Sequence, residues 1–299
     1  MPAVFTFGNN RLFMKKIKEL FAQVKELQHA DNEDITKLLW QLICYSPKFP
    51  LRLQQQELLN ESTPFVLEVD DPHFSHSTLK FNGFIWGNGK RKVIITHGWS
   101  SKGADFIDLI TALRTIEDLQ IIAFDAPGNG SSEGELSNLL LFVGAVKAII
   151  NAYGAPDVLI GHSLGGMANT VALKETGVKP PLLITITPMV RLKENFISTM
   201  TAAEVPQAAQ DKFFESFESL FGMQTSTFNL NDLYASTFPH KHWVAFDRDD
   251  KIAPNIYLQG FLKAYPNILS KEFDGVGHER IIKDQRVIAD ILELVRQEG

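Results

Sequence analysis

The stretch Val158-Leu159-Ile160-Gly161-His162-Ser163-Leu164-Gly165-Gly166 constrains the fold of this chain more than any other. A continuous apolar run of this kind is a strand buried on both faces, and it stops abruptly at a serine with glycines two residues to either side. Such spacing fits a sharp strand-to-helix turn whose middle residue is held in a strained conformation, where side chains at Gly161 and Gly165 would collide across the turn. Gly165, Gly166 and Ala168 then open a helix over Leu164 to Lys174. Its first free amides point back toward whatever Ser163 attacks.

The surrounding chain repeats this alternation. Val93 to Thr96 is a second continuous apolar strand, Phe106, Leu109, Ile110, Leu113 and Ile116 mark a helix, and Leu119 to Phe124 is a strand. A helix over Leu136 to Tyr153 and a strand over Leu182 to Thr187 complete the series. Strand and helix alternating from 93 to 187 predict a doubly wound, mostly parallel twisted sheet with helices on both faces and sites beyond the carboxyl ends of its strands. Antiparallel strands are expected before it: Phe65 to Val69, then a pair within Thr78 to Trp86 turning at Asn82-Gly83. After residue 240 the alternation resumes as a strand at His242 to Phe246, a helix at Ile256 to Ala264 opened by Pro254 and Asn255, a strand at Ile268 to Phe273 and a closing helix at Ile281 to Arg296.

Two segments stand outside this pattern. Residues 1–60 carry apolar stripes at helical spacing, Phe13, Ile17, Leu20, Val24 and Leu27, then Ile35, Leu38, Leu39, Leu42 and Ile43 up to Ser46-Pro47. This pair either packs on the main body or forms a dimer arm. Residues 188–240 lack strand alternation but contain helical runs, notably Phe213, Phe214, Phe217, Leu220 and Phe221, and read as a helical cap over the site. Most of these phenylalanines are expected to pack the cap's own core, and an apolar cap face over a pocket would favour an apolar acyl or alcohol group. The expected organisation is an N-terminal helical extension (1–60), a core (61–187 and 241–299) and a cap (188–240).

Composition removes several classes of function. A net charge of −6 without a basic stripe argues against a nucleic-acid partner. The lone Cys44 rules out an intramolecular disulfide and a Cys-rich zinc site, and its apolar neighbours Leu42, Ile43 and Tyr45 suit a buried structural thiol. Met1 to Asn10 lacks the pattern of an export signal, and no stretch reaches the ~20 apolar residues of a membrane span. A cytoplasmic protein without membrane insertion is the expectation.

A serine hydroxyl needs a base with a pKa near ~7 and a carboxylate to fix that base's tautomer. His278, in the Gly-rich loop Asp274-Gly275-Val276-Gly277-His278-Glu279 at a strand end, is the firmest base. His29, His73 and His76 precede the repeating unit, and His240 and His242 flank a strand start. His162 adjoins Ser163, but neighbours on a sharp turn point apart, so it is expected to pack or hydrogen-bond beneath the site. For the acid, Asp247, Asp249 and Asp250 share one loop.

The elbow at Gly161 to Gly166, the loop His97-Gly98-Trp99 after one strand, Asp125-Ala126-Pro127-Gly128-Asn129-Gly130-Ser131-Ser132 after the next, and the order Ser, Asp, His together resemble the α/β-hydrolase superfamily over roughly residues 78–297. The resemblance implies that Asp250 is the acid, since an apolar position and a helix-starting proline follow it in Lys251-Ile252-Ala253-Pro254. Asp247 is the reserve candidate, and Asp249 faces solvent. It also implies an oxyanion hole from the backbone amides of Leu164 and Trp99, donors worth roughly 3 kcal/mol each in the transition state. The Trp99 indole would line the acyl pocket or anchor its loop, and Asp125 would shape its own loop. Ser163 departs from the aspartate nucleophile of haloalkane dehalogenases and epoxide hydrolases.

The activity so implied is a serine esterase cleaving small-molecule carboxylic esters of short or medium acyl chain through an acyl-serine, with no metal or organic cofactor. Thioesterase, aminopeptidase or carbon-carbon bond hydrolase chemistry on the same residues, or a ligand-binding protein with little turnover, are the alternatives. A lipase is disfavoured by the absence of a secretion signal and of an interfacial apolar helix. A homodimer is compatible with the N-terminal helices.

Overall fold

The computed structural model describes residues 11–27, 33–234 and 239–298. Met1 to Asn10 and His29 lie outside the described residues, as do the side chains of Phe13 and Leu27. In chain order the elements are α1 (Arg11–Leu27), α2 (Glu33–Cys44), α3 (Leu53–Asn60), β1 (Thr63–Asp71), β2 (Ser77–Trp86), β3 (Arg91–Thr96), α4 (Ile107–Leu113), β4 (Leu119–Phe124), α5 (Leu139–Tyr153), β5 (Val158–His162), α6 (Leu164–Thr176) and β6 (Leu182–Ile186). There follow α7 (Leu192–Ala202), α8 (Gln207–Phe221), α9 (Leu230–Tyr234), β7 (Lys241–Phe246), α10 (Asn255–Ala264), β8 (Leu269–Glu272) and α11 (Gln285–Gln297).

Among the described residues, one eight-stranded sheet runs in the order β1-β2-β4-β3-β5-β6-β7-β8. Only β1 with β2 and β2 with β4 are antiparallel; every later pair is parallel. The continuous apolar runs follow from two covered faces. Ile94, Ile122, Leu159 and Leu183 point into the layer of α5 and α6, whereas Val93, Ile95, Ile121, Val158, Ile160 and Leu182 point into the layer of α4 and α11. The few buried polar residues of these strands are paired, Thr96 with Asn169 and Thr185 with His242.

The predicted turn at Asn82-Gly83 does not occur. β2 runs straight through it, and the hairpin to β1 closes instead at 72–76, where Asp71 accepts the amides of His73, Phe74 and Ser75. Gly83 answers a packing demand: Phe65 lies opposite it in the register, and a Cβ at Gly83 would stand 2.0 Å from the Phe65 ring. The closing helix is also shorter than its periodicity suggests, since Asp284 caps α11 after a short 3₁₀ turn at Ile281–Lys283. The helix α3 lacks an apolar stripe and is held by the Leu58 carbonyl, which accepts Trp86 Nε1, and by buried Gln55, which donates to Ala104 and Asp105.

The N-terminal helices pack on the same chain. Leu39, Leu42, Ile43 and Cys44 of α2 meet Met200 of α7 and Ala209 and Phe213 of α8 in one buried cluster. Trp40 lies among Phe213, Phe217 and Phe221 at 4.7, 5.8 and 5.8 Å between ring centroids, and its Nε1 donates to Ser216 Oγ at 2.7 Å. Phe213, Phe217 and Phe221 thus pack on α2, and Phe213 and Phe217 also meet Phe196 within the cap. Burial pushes the Cys44 thiol far up, with Asp71 adding to it, so this side chain stays an uncharged packing group.

Candidate active site

The turn from β5 into α6 places Ser163 at φ 52°, ψ −118°, a strained conformation for a residue with a Cβ. Its backbone is pinned on three sides: the Ser163 amide donates to the Ile186 carbonyl at 3.0 Å, and its carbonyl accepts the amides of Gly166 and Met189. A Cβ at Gly161 would lie 2.7 Å from Gly166 across the turn. One at Gly165 would meet the Thr96 and His97 carbonyls at 2.5 and 2.4 Å, so that glycine answers to the neighbouring strand β3 rather than to the turn itself.

Three predicted side chains meet above this turn. His278 Nδ1 donates to Asp250 Oδ2 at 2.6 Å, and its Nε2 accepts the Ser163 hydroxyl at 2.9 Å. His278 and Asp250 expose 8% and 2% of their side chains, which keeps water from competing for the contact. Burial alone would raise the Asp250 carboxyl, but the hydrogen bond and charge of His278 and the amides of Ala253 and Ile252 outweigh it and hold the carboxyl below its ordinary value. Asp247 is elsewhere: its Oδ1 accepts the Asp249 amide at 2.9 Å and its Oδ2 the Gly277 amide at 2.6 Å. Asp249 is exposed.

His162 does more than pack. Its Nε2 donates to the carbonyl of His278 at 2.9 Å, while burial, reinforced by His278, pulls its pKa down to about 3 and keeps the ring neutral. The His278 backbone is thus held from both sides, through Gly277 by Asp247 and through its own carbonyl by His162. His97 is likewise buried and lowered by burial, its Nδ1 on the Gly98 carbonyl and its Nε2 accepting the Ala126 amide.

The two predicted amide donors border the serine. Leu164 is the first residue of α6, so its N–H has no intrahelical acceptor. The loop carrying Trp99 comes so near that a Cβ on Gly98 would stand 3.2 Å from Ser163 Cβ. The Trp99 ring itself packs against the buried core. Asp125 binds the Gly103 and Ser131 amides at 2.9 and 2.8 Å and so shapes its loop. Among the described residues, no group of three or more His, Cys, Asp or Glu is placed to hold a metal ion, and no helix is long and apolar enough to cross a membrane.

A cleft of about 160 Å³ adjoins Ser163. It is lined by Ile252, Ala253, Pro254 and Tyr257, by Pro188, Met189 and Val190 after β6, and by Arg191, Glu194, Asn195 and Ser198 at the start of α7. From 188–240 the cleft thus receives apolar Pro188, Met189 and Val190 as well as polar Arg191, Glu194, Asn195 and Ser198. Sequence periodicity could not find the polar part, because three or four polar residues on a helix usually mark a solvated face.

The profile of the Alpha/beta hydrolase family matches residues 93–290. Rat (Rattus norvegicus) monoglyceride lipase is 27% identical over 122 residues, 38% of this chain and 40% of that protein, so the match spans less than half of that relative's length. A Pyrococcus furiosus esterase superposes with a TM-score of 0.60 at 17% identity, covering 84% of this chain and 98% of that one. A monoacylglycerol lipase of Paleococcus ferrophilus gives 0.57 at 17% identity over 73% and 99% of the two chains. At these identities the structural likeness speaks for the fold.

Proposed function

Since the chain belongs to the alpha/beta hydrolase family, we propose that it is a serine hydrolase cleaving small carboxylic esters through an acyl-serine intermediate. The observation that carries this is the relay of Ser163 Oγ, His278 Nε2 and Nδ1, and Asp250 Oδ2 at 2.9 and 2.6 Å. His278 takes the Ser163 proton as Oγ attacks the ester carbonyl, Asp250 holds the imidazole in the tautomer that leaves Nε2 free, and the amides of Leu164 and Trp99 receive the oxyanion. The alcohol departs with the proton from Nε2. Water, giving its proton to His278, then releases the acid. No step calls for a metal or an organic cofactor.

The size of the cleft supports a short substrate. About 160 Å³ is close to the ~150 Å³ cavity that holds one benzene, so it takes a group of about six heavy atoms. The packing of α2 on α7 and α8 supports treating 1–60 as an extension bound to a cap at 188–240, over a core of 61–187 and 241–299. The likeness to a monoglyceride lipase supports ester hydrolysis.

The test is labelling with a fluorophosphonate probe, located by mass spectrometry, alongside turnover of aryl esters of increasing chain length. Label is expected on Ser163, with Ser163→Ala lowering kcat by on the order of 10⁴-fold or more. Label elsewhere, or a variant as active as the wild type, overturns the proposal. Label without turnover favours a ligand-binding protein.

A further inference from the structure

We propose that the cleft beside Ser163 is a subsite for a hydroxylated group of the ester, recognised by Arg191, Asn195 and Ser198; this rests on the serine-hydrolase reading. The three lie at i, i+4 and i+7, so Asn195 and Ser198 share one helical face with Arg191, the N-cap of α7, and all three line the cleft. Arg191 is fixed in place, its guanidinium 4.7 Å above the Tyr257 ring and its Nη1 3.3 Å from Glu194 Oε1. Its side chain is 36% exposed, and the guanidinium carries more N–H donors than the one Glu194 takes. Asn195 is half-buried and Ser198 exposed, and both line the cleft.

The wall selects its ligand by sign. An anionic group would meet the Glu194 carboxylate, and a cationic one the Arg191 guanidinium. An alkyl group would desolvate open donors without replacing their hydrogen bonds. A hydroxyl both donates and accepts, which matches a lining that includes the Arg191 guanidinium, the Asn195 amide and the Ser198 hydroxyl beside the Glu194 carboxylate. Ile252, Ala253 and Pro254, which line the same cleft, suit the carbon skeleton. With room for about six heavy atoms, the fitting groups are a two- or three-carbon diol or triol on the alcohol side, or a short hydroxy acid on the acyl side.

The experiment compares kcat/KM of the full-length protein within matched pairs. Propyl acetate against glyceryl monoacetate places the hydroxyls on the alcohol, and methyl butyrate against methyl 3-hydroxybutyrate places one on the acyl group. Monomethyl succinate and β-alanine methyl ester supply the anion and the cation. The hydroxylated member of one pair is expected to lead by about tenfold, and which pair shows it assigns the cleft to alcohol or acyl. Ser198→Ala, Asn195→Leu and Arg191→Gln should each shrink that ratio severalfold, with circular dichroism checking the fold. Equal rates within both pairs, a charged ester in the lead, or a ratio that survives all three variants overturns the subsite while leaving the hydrolase reading intact. Absence of turnover on every ester, with no fluorophosphonate label, sinks both.

Discussion

Asp247 and Asp250 leave one loop and divide the work between backbone and imidazole: Asp250 Oδ2 takes His278 Nδ1 at 2.6 Å, while Asp247 Oδ2 takes the amide of the preceding Gly277, also at 2.6 Å. One carboxylate orients the ring and the other fixes the loop that carries it.

The two variants should therefore separate. Asp250→Asn puts an amide where the imidazole needs an acceptor and should lower kcat by about 10³–10⁴-fold, as loss of the orienting acid does in serine hydrolysis. Asp247→Asn keeps one acceptor oxygen but loses a charged hydrogen bond to Gly277 or Asp249. About 1.5–3 kcal/mol of stability and a kcat loss near tenfold are expected. Aryl ester kinetics and thermal unfolding of both proteins decide the matter, and a larger kcat loss in Asp247→Asn reverses the assignment.

His162 reaches the reaction only through the His278 carbonyl. His162→Phe fills the space and removes the donor, so kcat should fall by about tenfold with KM little changed. His162→Gln, which keeps a donor, should recover part of the loss. Identical kinetics in the two variants would mean that the hydrogen bond plays no part.

Acid should destabilise the fold well before its carboxylates protonate. Burial holds His242 as well as His162 at about 3 against an ordinary 6.5. Above 6.5 neither state binds the proton; between 6.5 and about 3 only the unfolded chain does, so stability falls as pH falls, by about 1.4 kcal/mol per pH unit for each such histidine. Asp250, held low in the fold, adds to the loss only further down, as pH drops through the carboxylate range. Urea unfolding between pH 6.5 and 4.5 should show the slope, and His242→Leu should flatten it by one histidine's share. An unchanged slope would count against the burial argument.

Trp40 joins the N-terminal helices to the cap. Trp40→Ala removes a side chain stacked among Phe213, Phe217 and Phe221 and bonded to Ser216, and should cost on the order of 3–5 kcal/mol. Calorimetry would measure it. A loss below ~1 kcal/mol would show that α2 is loosely attached.

Gly165→Ala should fail to yield folded protein, because its Cβ would lie 2.5 Å from the Thr96 carbonyl at the end of β3, a strand buried on both faces that cannot retreat. Soluble, active Gly165→Ala would contradict this packing.

Much of the fold was legible because it is written locally. Runs such as Val93 to Thr96 and Val158 to Ile160 are apolar at every position, which only a strand covered on both faces tolerates, and glycines around Ser163 mark a turn whatever surrounds it. Where a local signal and a distant neighbour disagreed, the neighbour prevailed: Asn82-Gly83 has the chemistry of a hairpin, yet Phe65 needs Gly83 as a flat place in a strand. The sequence by itself determined the alternating sheet, the elbow at Ser163 and the residue types of the site, since periodicity and backbone strain belong to single segments. Only the tertiary structure showed Asp250 on His278 and Asp247 on Gly277, Phe213, Phe217 and Phe221 around Trp40, and Arg191, Asn195 and Ser198 lining a cleft with Ser163. Those choices depend on how separate loops and helices come together over the strand ends, and a stripe of residue types records which face is buried without recording against what.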